Sequence, residues 1–266
     1  MSAAVKYLQV AQTTWKSMLA YQTDTWLGAG ISGFRVLMAF LLWQAIFAGR
    51  ETVAGYTLPM MVTYSLLSSM IGRLQNQDSL AWQLAEEVRA GQFSKYLVHP
   101  MQIVQYFLGA FFGRWSYMLI INGGAMLIWL AIFAHWVALR PDISWLWAAL
   151  ILPLGGLCMF FLDHLIGLLS LKYNDITGMM FTKGTLVEFL AGMLVPLDML
   201  PAAILPVIRL TPFYYIAFYP ARLLMGSATE HPLFAVLVLL VWCGIFYTAG
   251  QAWFAHARKF YEGVGI

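Results

Sequence analysis

Charged residues are scarce in this sequence. Of its 266 residues, 10% are charged and 61% are hydrophobic, whereas about a quarter of the residues of a soluble domain are charged. The mean hydropathy of +0.74 agrees with this bias. The composition excludes a soluble globular domain and predicts an all-α integral membrane protein. The net charge of +3 includes no long run of Lys or Arg, so no nucleic acid partner is expected.

Cysteines and catalytic motifs are also few. Cys158 and Cys243 lie inside apolar runs, where they are interpreted as small core residues rather than a disulfide or a metal site. The phosphate-binding loop G-x-x-x-x-G-K-[ST] is missing, as are H-E-x-x-H, G-x-S-x-G and C-x-x-C. We therefore predict no catalytic residue, no metal and no cofactor in this chain. No cleavable signal peptide is visible either, so the first span is expected to direct its own insertion.

Long apolar runs, by contrast, predict six membrane-spanning helices. About 20 helical residues cross the hydrocarbon core of a bilayer. The predicted spans are residues 26–48, 56–74, 114–136, 145–171, 176–195 and 233–254. The apolar run over residues 101–139 is too long for one perpendicular span, so its first part is expected to tilt, bend or lie in the interface.

The distribution of basic residues orients these spans. Nine basic residues fall on one predicted side, namely Lys6, Lys16, Arg73, Arg89, Lys95, Lys172, Lys183, Arg258 and Lys259. Four fall on the other side, namely Arg50, Arg140, Arg209 and Arg222. Because cytoplasmic loops carry the excess of Lys and Arg, we place both termini in the cytoplasm.

The chain is predicted to form a single membrane domain, residues 1–266, with three distinctive segments. Residues 1–22 form an amphipathic elbow helix in the cytoplasmic interface. Residues 75–100 form a polar cytoplasmic connector between the second and third spans. Residues 196–230 contain prolines every five to eight residues. A continuous helix cannot form there, so short re-entrant helices at the outer surface are expected.

The polar connector contains a short amphipathic helix. Leu80, Leu84 and Val88 recur at i, i+4 and i+8, and polar side chains occupy the opposite face. The pattern predicts a helix from Asp78 to Ala90, ended by Gly91 in the left-handed conformation. A helix too small to bury a core of its own is expected to be a contact point for another protein, although a plain interfacial linker is the simpler alternative.

Four ionisable residues lie within predicted spans, and such residues need protein or water around them. They are Arg35, Asp163, His164 and Glu188. Asp163 is placed near the middle of its span and Glu188 in the outer half of the fifth. Asp163 and Glu188 either line a polar path or pair with Arg35 to hold the helices together. Both readings remain open from the sequence.

Several short motifs follow one another in a fixed order along nearly the whole chain. They are Trp43, Ala45 and Phe47; Gly55 to Leu58 with Met61 and Tyr64; Glu87 to Gly91 with Leu97 and Pro100; Gly192, Pro196, Leu197, Pro201 and Pro212; and Tyr261, Glu262 and Gly263. With six predicted spans, this order resembles the permease subunits of ABC-2 type bacterial exporters, within the group that includes the viologen-exporter-like permeases.

The resemblance implies a set of partners. Two separate ABC ATPase subunits would bind ATP and Mg, and a second six-span permease, identical or related, would complete the transporter in the bacterial cytoplasmic (inner) membrane. The connector helix resembles the coupling helix that rests on the ATPase. Its expected contact residues are Glu86, Glu87, Arg89, Gly91 and Phe93. The expected path lies between the first, second and fifth spans.

The nature of the cargo and two other functions stay open at this stage. A hydrophobic or amphipathic small molecule, a lipid and a peptide are all compatible substrates. An ion-coupled secondary carrier would use Asp163 or Glu188 as its ion site. A non-transporting membrane scaffold is the remaining alternative.

Overall fold

A computed structural model describes residues 3–20, 22–75, 79–97, 103–173 and 175–257. Over these ranges the chain is helical, apart from turns and one isolated antiparallel bridge between Val53 and Tyr56. The helices are α1 (Ala3–Ala20), α2 (Gln22–Ile46), α3 (Leu58–Gln75), α4 (Ser79–Arg89), α5 (Ser94–Leu97), α6 (Ile103–Ile132), α7 (Ser144–Leu169), α8 (Thr177–Leu190), α9 (Leu205–Arg209), α10 (Phe218–Leu224) and α11 (Pro232–Ala257). The all-α prediction is confirmed for the described residues.

Four of the described helices are long and apolar enough to cross a membrane. They are α2 from Thr25 onward, α6, α7 and α11. Helices α3 and α8 lie where the second and fifth spans were predicted, but they have 18 and 14 residues. At 1.5 Å per residue they measure about 27 and 21 Å, less than the hydrocarbon core of about 30 Å. The multi-pass membrane fold is supported, and the number of six spans stays a prediction.

Helix α6 differs from the prediction for the third span. It runs unbroken from Ile103 to Ile132, 30 residues or about 45 Å. Residue 114, the predicted start of this span, lies well inside the helix. The helix thus begins eleven residues before the predicted span, and the start of the membrane crossing at residue 114 stays a prediction. Helix α6 also ends at Ile132, four residues before the predicted end.

The N-terminal helix α1 packs along the first half of α6. Its Trp15 indole Nε1–H donates to Ser116 Oγ at 3.0 Å, and its ring meets Tyr117 edge-on with centroids 5.2 Å apart. A Cβ added at Gly109 would lie 3.3 Å from Val10 Cβ and from the Tyr7 carbonyl oxygen, so a larger residue there would push the helices apart. The predicted N-terminal helix is confirmed, and its position in the membrane interface stays a prediction.

Helix α7 lies at the centre of the bundle and defines its two ends. At the α4 end, the last turns of α7 pack against α4 and α11, and the Trp253 indole donates to the Leu168 carbonyl at 2.9 Å. At the loop end, the Ser144 hydroxyl donates to the Leu223 carbonyl at 2.7 Å. The Trp145 indole donates to the Leu224 carbonyl at 3.1 Å. These contacts fix residues 196–230 against the first turn of α7.

Residues 196–230 are broken into short helices, as their prolines predict. Pro206 lies in the first turn of α9, where its missing N–H breaks no intrahelical bond. Four aromatic side chains of this segment are completely buried, namely Tyr214, Tyr215, Phe218 and Tyr219. The segment therefore forms an aromatic plug packed on α7 and α3. Its re-entrant position in the membrane stays a prediction.

Candidate functional site

Helix α4 is held by its apolar stripe against two helices of the bundle. Ala81 and Leu84 contact α7 at Gly167, where an added Cβ would lie 2.7 Å from Leu84 Cδ1 and 3.1 Å from Ala81 Cα. Ala81 and Ala85 also share a buried cluster with Met180 of α8. Of the predicted stripe, Leu80 and Leu84 are buried and Val88 is half-buried, and α4 packs against both α7 and α8. A movement of α4 has direct contacts through which to act on both helices.

The opposite face of α4 is exposed and carries mixed chemistry. Trp82, Glu86 and Arg89 are all exposed, and their i, i+4 and i+7 spacing places them on one face of the helix. The Trp82 side chain is 38% exposed. Glu86 and Arg89 were predicted as contact residues, whereas Trp82 was missed. The same spacing on the polar face could have revealed it.

Glu87 turns inward to hold the segment after α4. Its Oε1 accepts from Lys95 Nζ at 2.9 Å and from Gln83 Nε2 at 3.1 Å, and the Glu87 side chain is only 12% exposed. Burial and then the neighbouring Glu87 carboxylate raise the pKa of Tyr96 above its ordinary value of 10.0, so Tyr96 stays neutral. Glu87 therefore makes contacts within the chain, although it was expected to contact the ATPase subunit.

Gly91 ends α4 as predicted. Its φ is +69°, the Gly91 N–H donates to the Val88 carbonyl at 3.1 Å, and the Gln92 N–H donates to the Glu87 carbonyl at 2.8 Å. This pair of bonds is a Schellman motif, which favours glycine because a Cβ is strained in the left-handed region. The helix covers Ser79–Arg89, against the predicted range from Asp78, which lies outside the described residues, to Ala90.

Phe93 does not reach the surface that was predicted for it. Its side chain is 1% exposed and packs against Tyr96 and Phe254, with ring centroids 5.8 and 6.4 Å apart. The prediction of a contact residue is incompatible with this burial. Phe93 instead anchors the turn after α4 to α11, because an aromatic ring next to a tight turn is buried most readily inside the bundle.

A groove of about 770 Å³ runs between α2, α3 and α8. These helices correspond to the predicted first, second and fifth spans. One stripe of α3, namely Ser65, Ser69 and Arg73 at i, i+4 and i+8, forms a polar wall of the groove. The α2 wall is mainly apolar and includes Ile31 and Phe34, both 61% exposed. The groove thus combines a polar wall with an open apolar wall.

Arg35 and Glu188 face each other across this groove. The Arg35 guanidinium on α2 lies 3.5 Å from the Glu188 carboxylate on α8. Their side chains are 70% and 40% exposed, so both remain open to the groove. The structure brings together the pair that one of the two sequence-based readings expected. It also leaves the pair on the groove wall, as the other reading expected.

Asp163 is paired with a different cation. Its Oδ1 lies 2.7 Å from Lys183 Nζ on α8, and both side chains are buried. Lys183 had been counted among the basic residues of the predicted cytoplasmic side, and the structure places its ammonium group in the core of the bundle. Asp163 also lies six residues from the C-terminal end of α7, nearer the α4 end than the predicted middle. The ion pair ties α7 to α8 close to α4.

His164 follows Asp163 directly in α7, so its side chain points about 100° away from that of Asp163 around the helix. It is 4% exposed and stacks on the Phe160 ring, with centroids 6.1 Å apart and planes 11° apart. The Phe107 ring of α6 lies 6.4 Å away. The Nδ1 atom of His164 has no hydrogen-bond partner among the described residues. His164 does not line the groove and is part of the core between α6 and α7.

Two polar networks close the loop end, and neither was predicted from the sequence. Asp198 accepts from the Arg222 guanidinium at 2.7 Å and from the Tyr56 hydroxyl at 2.8 Å. Asp198 therefore links the turn before α3 to α10. A sequence signal existed, since an acidic residue inside an apolar segment needs a cation nearby.

The second network surrounds Glu230. Its carboxylate lies 2.8 Å from the Arg209 guanidinium, and the Tyr214 hydroxyl donates to Glu230 Oε1 at 2.7 Å. Burial alone raises the pKa of Glu230, but Tyr214 and Arg209 outweigh it and hold the pKa below its ordinary value of 4.5. The carboxylate is thus charged at neutral pH and fixes the start of α11 to the aromatic plug.

The family comparison agrees with this arrangement. The family model of ABC-2 family transporter proteins matches residues 34–265, which include α4 and most of the groove. No curated protein shows a significant match to the sequence. ABC-2 permeases are membrane transport subunits that lack an ATPase site and work with ABC ATPase subunits. The chain belongs to the ABC-2 family of transporters.

Proposed function

We propose that this chain is the permease subunit of an ATP-driven exporter and that a separate ATPase moves it by binding α4. The observation that carries the proposal is the division of α4 into two faces. One face is buried against α7 and α8, and the other presents Trp82, Glu86 and Arg89. A helix built this way transfers force from a docked protein to the bundle.

The exposed face has the chemistry of a docking site. An aromatic ring flanked by an acidic and a basic residue combines apolar area with orienting charges. Its short i, i+4 and i+7 ridge suits a groove in a partner protein. We assign Trp82 as the anchor and Glu86 and Arg89 as the residues that set the orientation.

The path for the cargo is assigned to the groove between α2, α3 and α8. The groove is open on its α2 side, where Ile31 and Phe34 are exposed. A second permease, identical or related, would cover this side and complete the path. Closure of two ATPase subunits on ATP and Mg would displace α4, and α8 would move with it because Ala81 and Ala85 of α4 share a buried cluster with Met180 of α8.

The proposed location follows from the charge distribution. The α4 end would face the bacterial cytoplasm, with both termini on that side, and the loop end would face outward. The aromatic plug would then close the outer end of the path. The cargo would be a hydrophobic or amphipathic small molecule, a lipid or a peptide, because the groove walls combine apolar and polar side chains.

The ion-coupled alternative gains little from the geometry. Lys183 already lies against Asp163, so a transported cation would have to displace a buried ammonium group. Glu188 similarly faces Arg35. Transport that persists without an ATPase and collapses with an uncoupler would nevertheless favour the carrier.

The test is purification of the tagged chain from its native membrane in mild detergent, with identification of the proteins that accompany it. We expect an ATPase with a phosphate-binding loop to accompany the wild type. The double variant Glu86→Arg with Arg89→Glu is expected to reduce its recovery about tenfold or more, as for misplaced interface charges. The matched control is the double variant Arg50→Glu with Glu51→Arg. Both residues are exposed and lie just after the C-terminal end of α2.

Three results would contradict parts of this proposal. Equal recovery of the ATPase with the α4 variant would show that the docking site lies elsewhere. Equal loss in the control variant would indicate a general effect of charge reversal. A wild-type chain that carries no ATPase, under conditions that preserve other membrane complexes, would favour the scaffold or the carrier.

A further inference from the structure

Arg73 lies at the α4 end of the groove and contacts neutral groups. Its NH2 donates to the Thr25 carbonyl at 2.9 Å, and its NH1 donates to Ser32 Oγ at 3.4 Å. The Arg73 guanidinium rests on Gly28 of α2, where an added Cβ would collide with it. None of the carboxylates whose side chains the structure describes, a set that does not include Asp24, lies within 4.0 Å of Arg73. Arg73 is therefore a cation without a counter-ion among the side chains that the structure describes.

The hydrogen-bonding capacity of Arg73 is also incomplete. Its Nε is buried and has no partner among the described residues. A buried donor without a partner is costly, more so when it is charged. An oxyanion is the ligand that satisfies a guanidinium best, because two of its oxygens can accept at once.

The remaining charges of the groove balance each other. Arg35 faces Glu188 at 3.5 Å, so this pair contributes no net charge. Among the described side chains that line the groove, Arg73 then leaves a net charge of about +1. Ser69 lies one helical turn from Arg73 on the same wall and adds a hydroxyl group. The polar end of the groove therefore favours an anion over a cation or a zwitterion.

The rest of the groove accepts an apolar chain. Ile31 and Phe34 of α2 line it and are 61% exposed, and Met193 reaches Gly72 from the opposite side. From Arg73 toward the loop end, the groove therefore passes from a charged site to an apolar wall. An amphiphile with one charged end matches this sequence of surfaces.

We propose that the groove binds an amphiphile with an anionic headgroup, a phosphate or a carboxylate, whose charge is recognised by Arg73 and whose apolar tail lies along α2. The inference rests on the proposed function, and it specifies the class of ligand for the same path. The anion has two possible sources, a two-chain membrane phospholipid or a free single-chain amphiphile. Both carry the anionic headgroup that Arg73 would bind.

The experiment measures binding to the full chain in a neutral maltoside detergent by native mass spectrometry. The probes are phosphatidylglycerol, monododecyl phosphate and, as the zwitterionic control, phosphatidylcholine. We expect the wild type to retain one anionic probe about tenfold more than phosphatidylcholine. Retention of phosphatidylglycerol alone identifies a membrane lipid, and retention of monododecyl phosphate identifies a free amphiphile.

Two kinds of variant locate the site. Arg73→Gln is expected to abolish the preference, and Arg73→Lys to keep most of it. Because Arg73 packs on α2, loss of the side chain also risks misfolding, so Ser69→Glu is the second test. Ser69→Glu leaves Arg73 in place and supplies a carboxylate one helical turn away, so it should abolish anion binding. Ser69→Gln has the same shape as Ser69→Glu but no charge, so it should retain anion binding.

The proposal is overturned if the anions bind no better than phosphatidylcholine, or if Ser69→Glu binds them as well as Ser69→Gln. This binding assay needs no ATPase. Loss of anion preference with an intact ATPase complex would therefore refute the ligand class alone. Anion binding at Arg73, combined with a wild-type chain that carries no ATPase in the native-membrane purification, would refute the proposed ATP-driven function alone.

Discussion

Lys183 of α8 forms a buried ion pair with Asp163 of α7, one helical turn from the residues on which α4 rests. Ile166 follows Asp163 by three residues and Met180 precedes Lys183 by three, and both belong to the buried cluster that contains Ala81 and Ala85 of α4. The ion pair therefore lies on the same faces of α7 and α8 as the residues that pack against α4. The geometry couples α4 to the α7–α8 pair as a single unit.

Breaking this ion pair should strongly destabilise the protein. Asp163→Asn or Lys183→Met is expected to reduce stability by about 3–5 kcal/mol, because each leaves a buried charge without its main partner. In a double-mutant cycle followed by thermal unfolding in detergent, the two changes should show a coupling of about 1–3 kcal/mol.

The ion pair between Lys95 and Glu87 is the matched control. It also joins a lysine to a carboxylate, but the Lys95 side chain is 50% exposed at the surface beside α4. Its coupling should be about 1 kcal/mol or less. Equal coupling in the two cycles would contradict the structural importance assigned to the buried pair.

The contact between α4 and α7 should tolerate no added methyl group at Gly167. Gly167→Ala places a Cβ 2.7 Å from Leu84 Cδ1 and 3.1 Å from the Ala81 backbone. We expect a loss of about 1–3 kcal/mol of stability, typical of overpacking, and a lower ATPase recovery with the purified chain. Gly244→Ala, which has no neighbour within 4 Å of the added Cβ, should change neither. Unchanged behaviour of Gly167→Ala would show that α4 is not held at this contact.

The hydroxyl of Tyr64 should stabilise the end of α8. It donates to the Gly192 carbonyl at 2.5 Å, and Gly192 has a φ of +69°. Tyr64→Phe leaves a buried carbonyl unsatisfied and should reduce stability by about 1–3 kcal/mol in thermal unfolding. Tyr247→Phe is the control, because the Tyr247 side chain is exposed on α11. A Tyr64→Phe variant as stable as this control would disprove the role of the hydroxyl.

The stability of the loop end should depend on pH through Glu230. Its folded-state pKa is lower than the ordinary value of 4.5, so the charged carboxylate stabilises the fold above that value. This stabilisation should be lost as the pH falls below 4.5 toward the folded-state pKa. Thermal unfolding of the wild type against Glu230→Gln measures it. The difference between the two should shrink over this range, and a constant difference would refute the assignment.

Local structure was accessible from the sequence wherever it depends on neighbouring residues. The i, i+4 pattern of Leu80, Leu84 and Val88 predicted α4 almost to its observed bounds, and Gly91 predicted its end. Helical periodicity and the conformational freedom of glycine act over a few residues, so one sequence suffices to read them. The apolar runs identified the four helices that are long enough to cross a membrane.

Partners of charged and aromatic side chains were decided only by the tertiary structure. The sequence could not tell that Asp163 meets Lys183 instead of Arg35, or that Phe93 points inward while Trp82 points outward. The order of charges along the chain does not determine which helices become neighbours. The sequence by itself thus determined a helical membrane protein with an amphipathic α4. The packing of α2, α3 and α8 determined the groove and the position of Arg73 within it, because both arise from contacts between residues far apart in the chain.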